Sequence, residues 1–184
     1  MKQVLIALVE DKPGVLNRIS SLFRRRNFNI ESLAVGHSEI PGASRLTIVT
    51  DEEDLLRRNI IKENLRKLIN VIDVEDITDS PSVIREHALI KVRVDSGTRS
   101  EVSNLVEIYS ARIIDVSTKS LVIEVGGEPQ KVDSMIEVLA PFGVLEIARA
   151  GKVALTRGEG HVSQKETLER WINGNGARGP SNSR

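Results

Sequence analysis

The chain has 184 residues, 40% of them apolar, which suffices for one domain or for two small ones that each bury a core. Lys plus Arg and Asp plus Glu both number 26, so no net field gathers nucleic acid or an anionic membrane surface. There is no cysteine, which removes disulfides, thiol nucleophiles and thiolate metal sites, and the three histidines at 37, 87 and 161 stand too far apart in sequence for a local metal cluster. No apolar stretch approaches the roughly 20 residues of a membrane span, and Met1-Lys2-Gln3-Val4 runs straight into a strand, so a cytoplasmic protein is expected.

In chain order, residues 2–9 read as a strand that is apolar on both faces and therefore central. It ends at Glu10-Asp11. Pro13-Gly14 then opens a helix over roughly 13–26, with Val15, Leu16, Ile19, Leu22 and Phe23 on one face. Asp11 is the expected N-cap, and Gly14 lets another molecule approach the backbone closely. Free amides at such a helix start attract a carboxylate, and Asn29, expected near the same helix start, offers both an acceptor and donors. That combination suits an amino acid, although Pro-Gly after a strand is ordinarily a turn and nothing more.

A second strand covers about 29–37, a turn follows at Pro41-Gly42, and a third strand takes 44–50. Asp51-Glu52-Glu53-Asp54 places acids at the start of a second helix, whose buried stripe reads as Leu55, Leu56, Ile60, Ile61, Leu65, Leu68 and Ile69. Residues 71–78 close the unit. The order strand-helix-strand-strand-helix-strand is the ferredoxin-like arrangement, with the second strand at a sheet edge.

The second half repeats that order loosely: a strand over 86–95, a helix after Thr98, strands over 111–116 and 120–125, a helix with Val132, Met135, Ile136 and Leu139, and a strand over 144–148. The fold class is therefore α+β, two ferredoxin-like βαββαβ units, with expected boundaries of 1–79 and 83–157. Residues 158–184 change in composition and read as a disordered tail. Leu168, Trp171 and Ile172 could share one small helical face there, but a frayed end is preferred over a docking segment.

No nucleophile with a base in reach, no tuned carboxylate pair and no phosphate-binding glycine spacing emerges, so no catalytic residue is expected. Arg24-Arg25-Arg26 at a helix C-terminus is favoured by the helix dipole and reads as solvated, as do Arg18 and Arg45.

Three stretches carry a resemblance: 10–19 (Glu-Asp-Lys-Pro-Gly-Val-Leu-Asn-Arg-Ile), 26–33 (Arg-Asn-Phe-Asn-Ile-Glu-Ser-Leu) and 44–49 (Ser-Arg-Leu-Thr-Ile-Val). They resemble the N-terminal ACT domain of the regulatory small subunits of acetolactate synthase, and the likeness continues through 85–92, 111–116 and 146–151, covering about residues 1–158. The resemblance implies a noncatalytic chain whose partner is the large catalytic subunit, the carrier of thiamine diphosphate, magnesium and FAD, with no cofactor in this chain. It implies activation of that subunit, and reversal of the activation by valine or a related branched-chain amino acid bound between paired ACT domains of a homodimer or larger assembly. By position it makes Gly14 and its neighbours Pro13 and Val15 the backbone donors to the valine carboxylate. Asn29 of the facing protomer would hold the polar groups, with Leu16 and Ile30 as apolar wall. Where relatives commonly carry Asn, this chain has Asp11, whose carboxylate accepts an ammonium and repels a carboxylate. The alternative is a free-standing ACT amino-acid sensor acting on another enzyme or on a transcription factor.

Overall fold

The computed structural model describes residues 2–158, 169 and 171–174. These divide into two compact units: residues up to 83 together with those from 154 onward form the first, and 84–153 form the second. In the first, β1 (Gln3–Glu10), α1 (Val15–Arg25), β2 (Ile30–His37), β3 (Ala43–Thr50), α2 (Leu55–Arg66) and β4 (Val71–Asp76) follow the expected order. Their sheet is antiparallel in the order β2-β3-β1-β4, which puts β2 at an edge as expected from topology. Alternate residues of the central strands point to the helices. Leu5, Ala7 and Val9 of β1, Leu46 and Ile48 of β3 and Val74 of β4 meet Val15, Ile19, Leu22 and Phe23 of α1 and Ile61 and Leu65 of α2.

The second unit repeats the pattern: β5 (Ser82–Arg93), α3 (Arg99–Ile108), β6 (Arg112–Val116), β7 (Ser120–Gly127), α4 (Pro129–Leu139) and β8 (Val144–Arg149), in the sheet order β6-β7-β5-β8. Its core is built from β5, β7 and the inward faces of both helices, among them Ile90, Ile123, Val102 and Met135. Two ferredoxin-like units are thus present.

Four features depart from the expectations. The apolar stripe of α2 is narrower than its seven residues suggested: Ile61 and Leu65 are buried, whereas Leu55, Leu56, Ile60 and Ile69 are exposed. A helix of 12 residues packed on a sheet buries one strip, and here Arg58 completes the strip at 6% exposure. Its guanidinium reaches Asp79 at 3.1 Å and Asp76 at 3.5 Å. Asp76 in turn accepts from Gln3 Nε2 at 2.7 Å and from the Thr78 amide at 3.0 Å, so the buried charge sits in a hydrogen-bonded network.

Next, a strand the periodicity does not announce, β9 (Val153–Thr156), pairs with β5. The described residues from 154 onward group with the first unit, because Arg45 Nη2 donates to Ala154 O at 3.2 Å and Arg157 N donates to Pro81 O at 2.8 Å. The expected 83–157 unit therefore yields 154–157 to the first. Arg45 is itself half-buried rather than a solvated surface residue; burial lowers its pKa against the counter-effect of Glu39 and Glu75. Finally, Trp171 is half-buried against the cluster of Leu8, Ile40 and Ala43, on which Ile72 also packs, instead of fraying, while most of the expected tail, Leu168 included, lies outside the described residues.

Candidate functional site

The turn that follows β1 is anchored from two sides. Glu10 N donates to Asn70 O at 2.9 Å, and Asn70 Nδ2 donates back to Glu10 Oε2 at 2.6 Å. Arg18 Nη1 donates to Asn70 Oδ1 at 2.7 Å, which ties the first turns of α1 to the same residue. The Asn70 amide holds the Glu10 carboxyl below its usual range, with Lys12 at 3.1 Å helping and burial opposing. On the other side Asp11 N donates to Gly42 O at 2.8 Å.

Between these anchors Gly14 takes φ +84° and ψ −5°, a left-handed conformation that a side chain disfavours. Gly14, not Asp11, is the N-cap of α1, and no side chain caps the helix. A Cβ built on Gly14 would meet nothing within 4 Å, so the backbone is open to an incoming molecule. Among the described residues the amides of Leu16 and Asn17 have no acceptor. Two expected donors fail on elementary grounds. Pro13 has no N–H, and Val15 N already bonds Lys12 O at 3.4 Å. The open amides of the turn are therefore those of Gly14, Leu16 and Asn17, since Pro13 has none and that of Val15 is engaged.

The second unit supplies an internal comparison. At the corresponding strand-to-helix turn, Asp95 Oδ1 accepts from Gly97 N and Thr98 N, both at 2.8 Å, and from Thr98 Oγ1 at 3.0 Å. Those bonds hold the Asp95 carboxyl below its usual range. There the chain's own carboxylate bonds the turn, whereas no side chain caps α1 and the place of Gly97 is taken by Pro13, which has no N–H; the amides of Ser100 and Glu101, which correspond to Leu16 and Asn17, likewise have no acceptor among the described residues.

Within one chain the remaining expected site residues do not gather at this turn. Ile30 pairs with Thr50, which pairs with Gln3, whereas His37 pairs with Ser44 next to the Ala43–Glu10 pair. Asn29 and Ile30 therefore stand at the opposite end of the sheet from Gly14, about 25 Å along an eight-residue strand. Ile30 packs at the margin of the helix-side core, and Asn29 is exposed. Leu16 does lie at the turn and is 45% exposed.

The structure adds residues that the sequence reading passed over. His37, at the end of β2, places Nδ1 3.4 Å from Asp11 Oδ2. Leu33 and Val35 pair with the core residues Ile48 and Leu46, so they face the helix side, yet both are exposed because β2 has no neighbour beyond it. The usable signal was alternation along β2, which a bulge between Ile30 and Ser32 puts out of phase. Among the described residues no group of three metal-ligating side chains gathers, and no helix is long and apolar enough to cross a membrane.

Known proteins resemble the chain over most of its length. Residues 5–73 match the family model described as the AHAS small subunit-like ACT domain, and residues 85–158 match that of the small subunit of acetolactate synthase. The chain belongs to the acetolactate synthase small-subunit family. It is 51% identical over 154 residues to the acetolactate synthase small subunit of Mycolicibacterium smegmatis, covering 84% of this chain and 90% of that protein. The Mycobacterium leprae small subunit is likewise 51% identical over 154 residues, with 84% and 90% covered. The crystal structure of the acetolactate synthase small subunit from Thermotoga maritima superposes with a TM-score of 0.79 at 40% identity, covering 87% of this chain and 99% of that one. A small subunit of acetolactate synthase is a regulatory, noncatalytic chain of branched-chain amino acid biosynthesis, and it implies a large catalytic partner, to which the cofactors belong.

Proposed function

We propose that this cytoplasmic chain raises the activity of the acetolactate synthase catalytic subunit and that valine, held on the open turn of the first unit, reverses that effect. The observation that carries the reading is the turn itself. A left-handed Gly14 with open space above it, no side-chain cap and uncommitted Leu16 and Asn17 amides would form a carboxylate seat; at the corresponding turn of the second unit Asp95 already places a carboxylate on the amides of Gly97 and Thr98. The ligand ammonium faces Asp11, and the apolar side chain lies toward Leu16.

A seat this exposed needs a second wall, and edge pairing of two copies supplies one. If the β2 strands of two copies run antiparallel, the start of one lies opposite the end of the other. The partner's Asn29 and Ile30 then stand at the His37 end, beside the turn that they cannot reach within one chain. Valine inhibits by binding one arrangement of the pair better than another, which the catalytic subunit senses. The second unit, whose turn lacks the left-handed glycine and carries Asp95 on it, is the better surface for that contact. Its match to the family's own C-terminal model disfavours a free-standing sensor.

Thermal unfolding with and without each amino acid tests the seat. Valine at 100 times its dissociation constant stabilises by about 2.7 kcal/mol, raising the midpoint by roughly 5–10 °C. Asn29→Ala should abolish the rise while leaving the unliganded midpoint nearly unchanged. A rise that survives Asn29→Ala would remove the paired-chain wall.

A further inference from the structure

The outer face of the first sheet, opposite its helices, carries Leu8, and beside it Ile40 and Ala43 of the β2–β3 hairpin form a small apolar cluster. Trp171, the chain's single tryptophan, packs against this cluster together with Ile72. Its Cη2 stands 3.8 Å from where a Cβ on Gly42 would be, so the indole edge lies on the Gly42 peptide. That peptide matters because Gly42 O is the acceptor that anchors Asp11 N at 2.8 Å, on the side of the turn away from Asn70. The hairpin is otherwise knit by its own bonds, Ser38 Oγ to Ala43 O at 3.1 Å and Ala43 N to Ile40 O at 3.1 Å, and Gly42 holds φ +79° within it. The chain has already returned to the first unit before this segment, through Arg157 N to Pro81 O. Both family models end by residue 158, so the segment is an addition outside the shared domain.

We propose that the segment carrying Trp171 is a built-in brace: its indole docks in the socket of Leu8, Ile40, Ala43 and Ile72 and holds the Gly42 peptide against the turn at 11–14. Docking over Leu8, Ile40 and Ala43 removes apolar surface from water, and docking beside Gly42 couples that burial to the hydrogen bond on which the turn hangs. The occupant is this chain's own segment. The inference concerns the rigidity of the turn and holds whether or not the turn takes an amino acid.

The full chain provides its own reporter, because all tryptophan emission comes from Trp171. The expected result has two parts. Emission is blue-shifted and acrylamide quenching several-fold weaker than for a free tryptophan amide, at every protein concentration. In Trp171→Ala the Asp11 amide exchanges with solvent at least tenfold faster, while the amide of Val94, bonded to Lys119 O in the other unit, is unchanged and Trp171→Phe retains protection. Emission and quenching like those of the free amide would overturn the docking, as would a blue shift that disappears on dilution, which would assign the socket to a second copy. Unchanged Asp11 exchange in Trp171→Ala would overturn the brace. No step requires a ligand, so failure here is distinct from failure of the valine reading.

Discussion

Gly14 is the residue on which the proposed valine seat depends. Its φ of +84° costs about 1–2 kcal/mol for a residue bearing a Cβ, so Gly14→Ala should lower the unfolding free energy by about 1 kcal/mol in denaturant titration and weaken valine binding at the same time. Asp11 tests the orientation of the ligand. If it receives the ammonium, the loss of one charge at about 4 Å in a wet site is worth about 1 kcal/mol, and Asp11→Asn should weaken valine roughly fivefold by calorimetry. Unchanged or tighter binding would mean that the ammonium points elsewhere. Asp76 makes a pH prediction. Burial opposes its ionisation, but bonds from Thr78 and Gln3, with Arg58 beside it, win and hold its pKa below the usual value. A carboxylate depressed in the folded state contributes stability above its unfolded pKa and loses that contribution as pH falls through the folded value. Asp76→Ala should therefore destabilise the chain by about 2 kcal/mol at pH 7, and by progressively less as pH drops below about 4, in denaturant midpoints measured across pH.

Among the elements, the proposed assembly rests on the edge strand β2. Charging its exposed positions, with Leu33→Lys and Val35→Lys together, should shift the sedimentation of the chain to monomer and remove the valine-induced rise in melting temperature. An unchanged oligomer would place the pairing elsewhere. The order of elements was legible because each strand and helix carries its own period, and β2 as an edge followed from that order alone. The position of Asn29 was equally available and was misread. A strand-helix-strand crossover makes β2 parallel to β1, so the first residue of β2 must lie where β1 begins, away from the turn at its end. The stripe of α2 was not legible. Leu55, Leu56, Ile60 and Ile61 lie on more than one side of the helix, and only packing selects Ile61 and Leu65 and leaves the remaining inward place to Arg58. β9 and Trp171 escaped for a related reason, since four residues of strand and one isolated aromatic give no period to read.

At the scale of the whole molecule, the two units have the same topology but differ at the same turn: Asp95 bonds the turn of the second, and no side chain caps that of the first. Ligand sensing is proposed for the first unit and contact with the catalytic partner for the second. A cut near Ser80 would not separate the two roles cleanly, because it would also strip Ala154 and Arg157 from the first unit. A point change is the sharper tool. Gly14→Asp keeps a residue that tolerates the left-handed region and places a carboxylate where the ligand's own would sit. The decisive measurement is acetolactate synthesis by the catalytic subunit reconstituted with this chain or with Gly14→Asp, across a valine titration. The account predicts that both chains raise the activity, that valine returns the first to the level of the catalytic subunit alone, and that the variant stays activated at every valine concentration. Inhibition of the variant with an unchanged valine midpoint would contradict it.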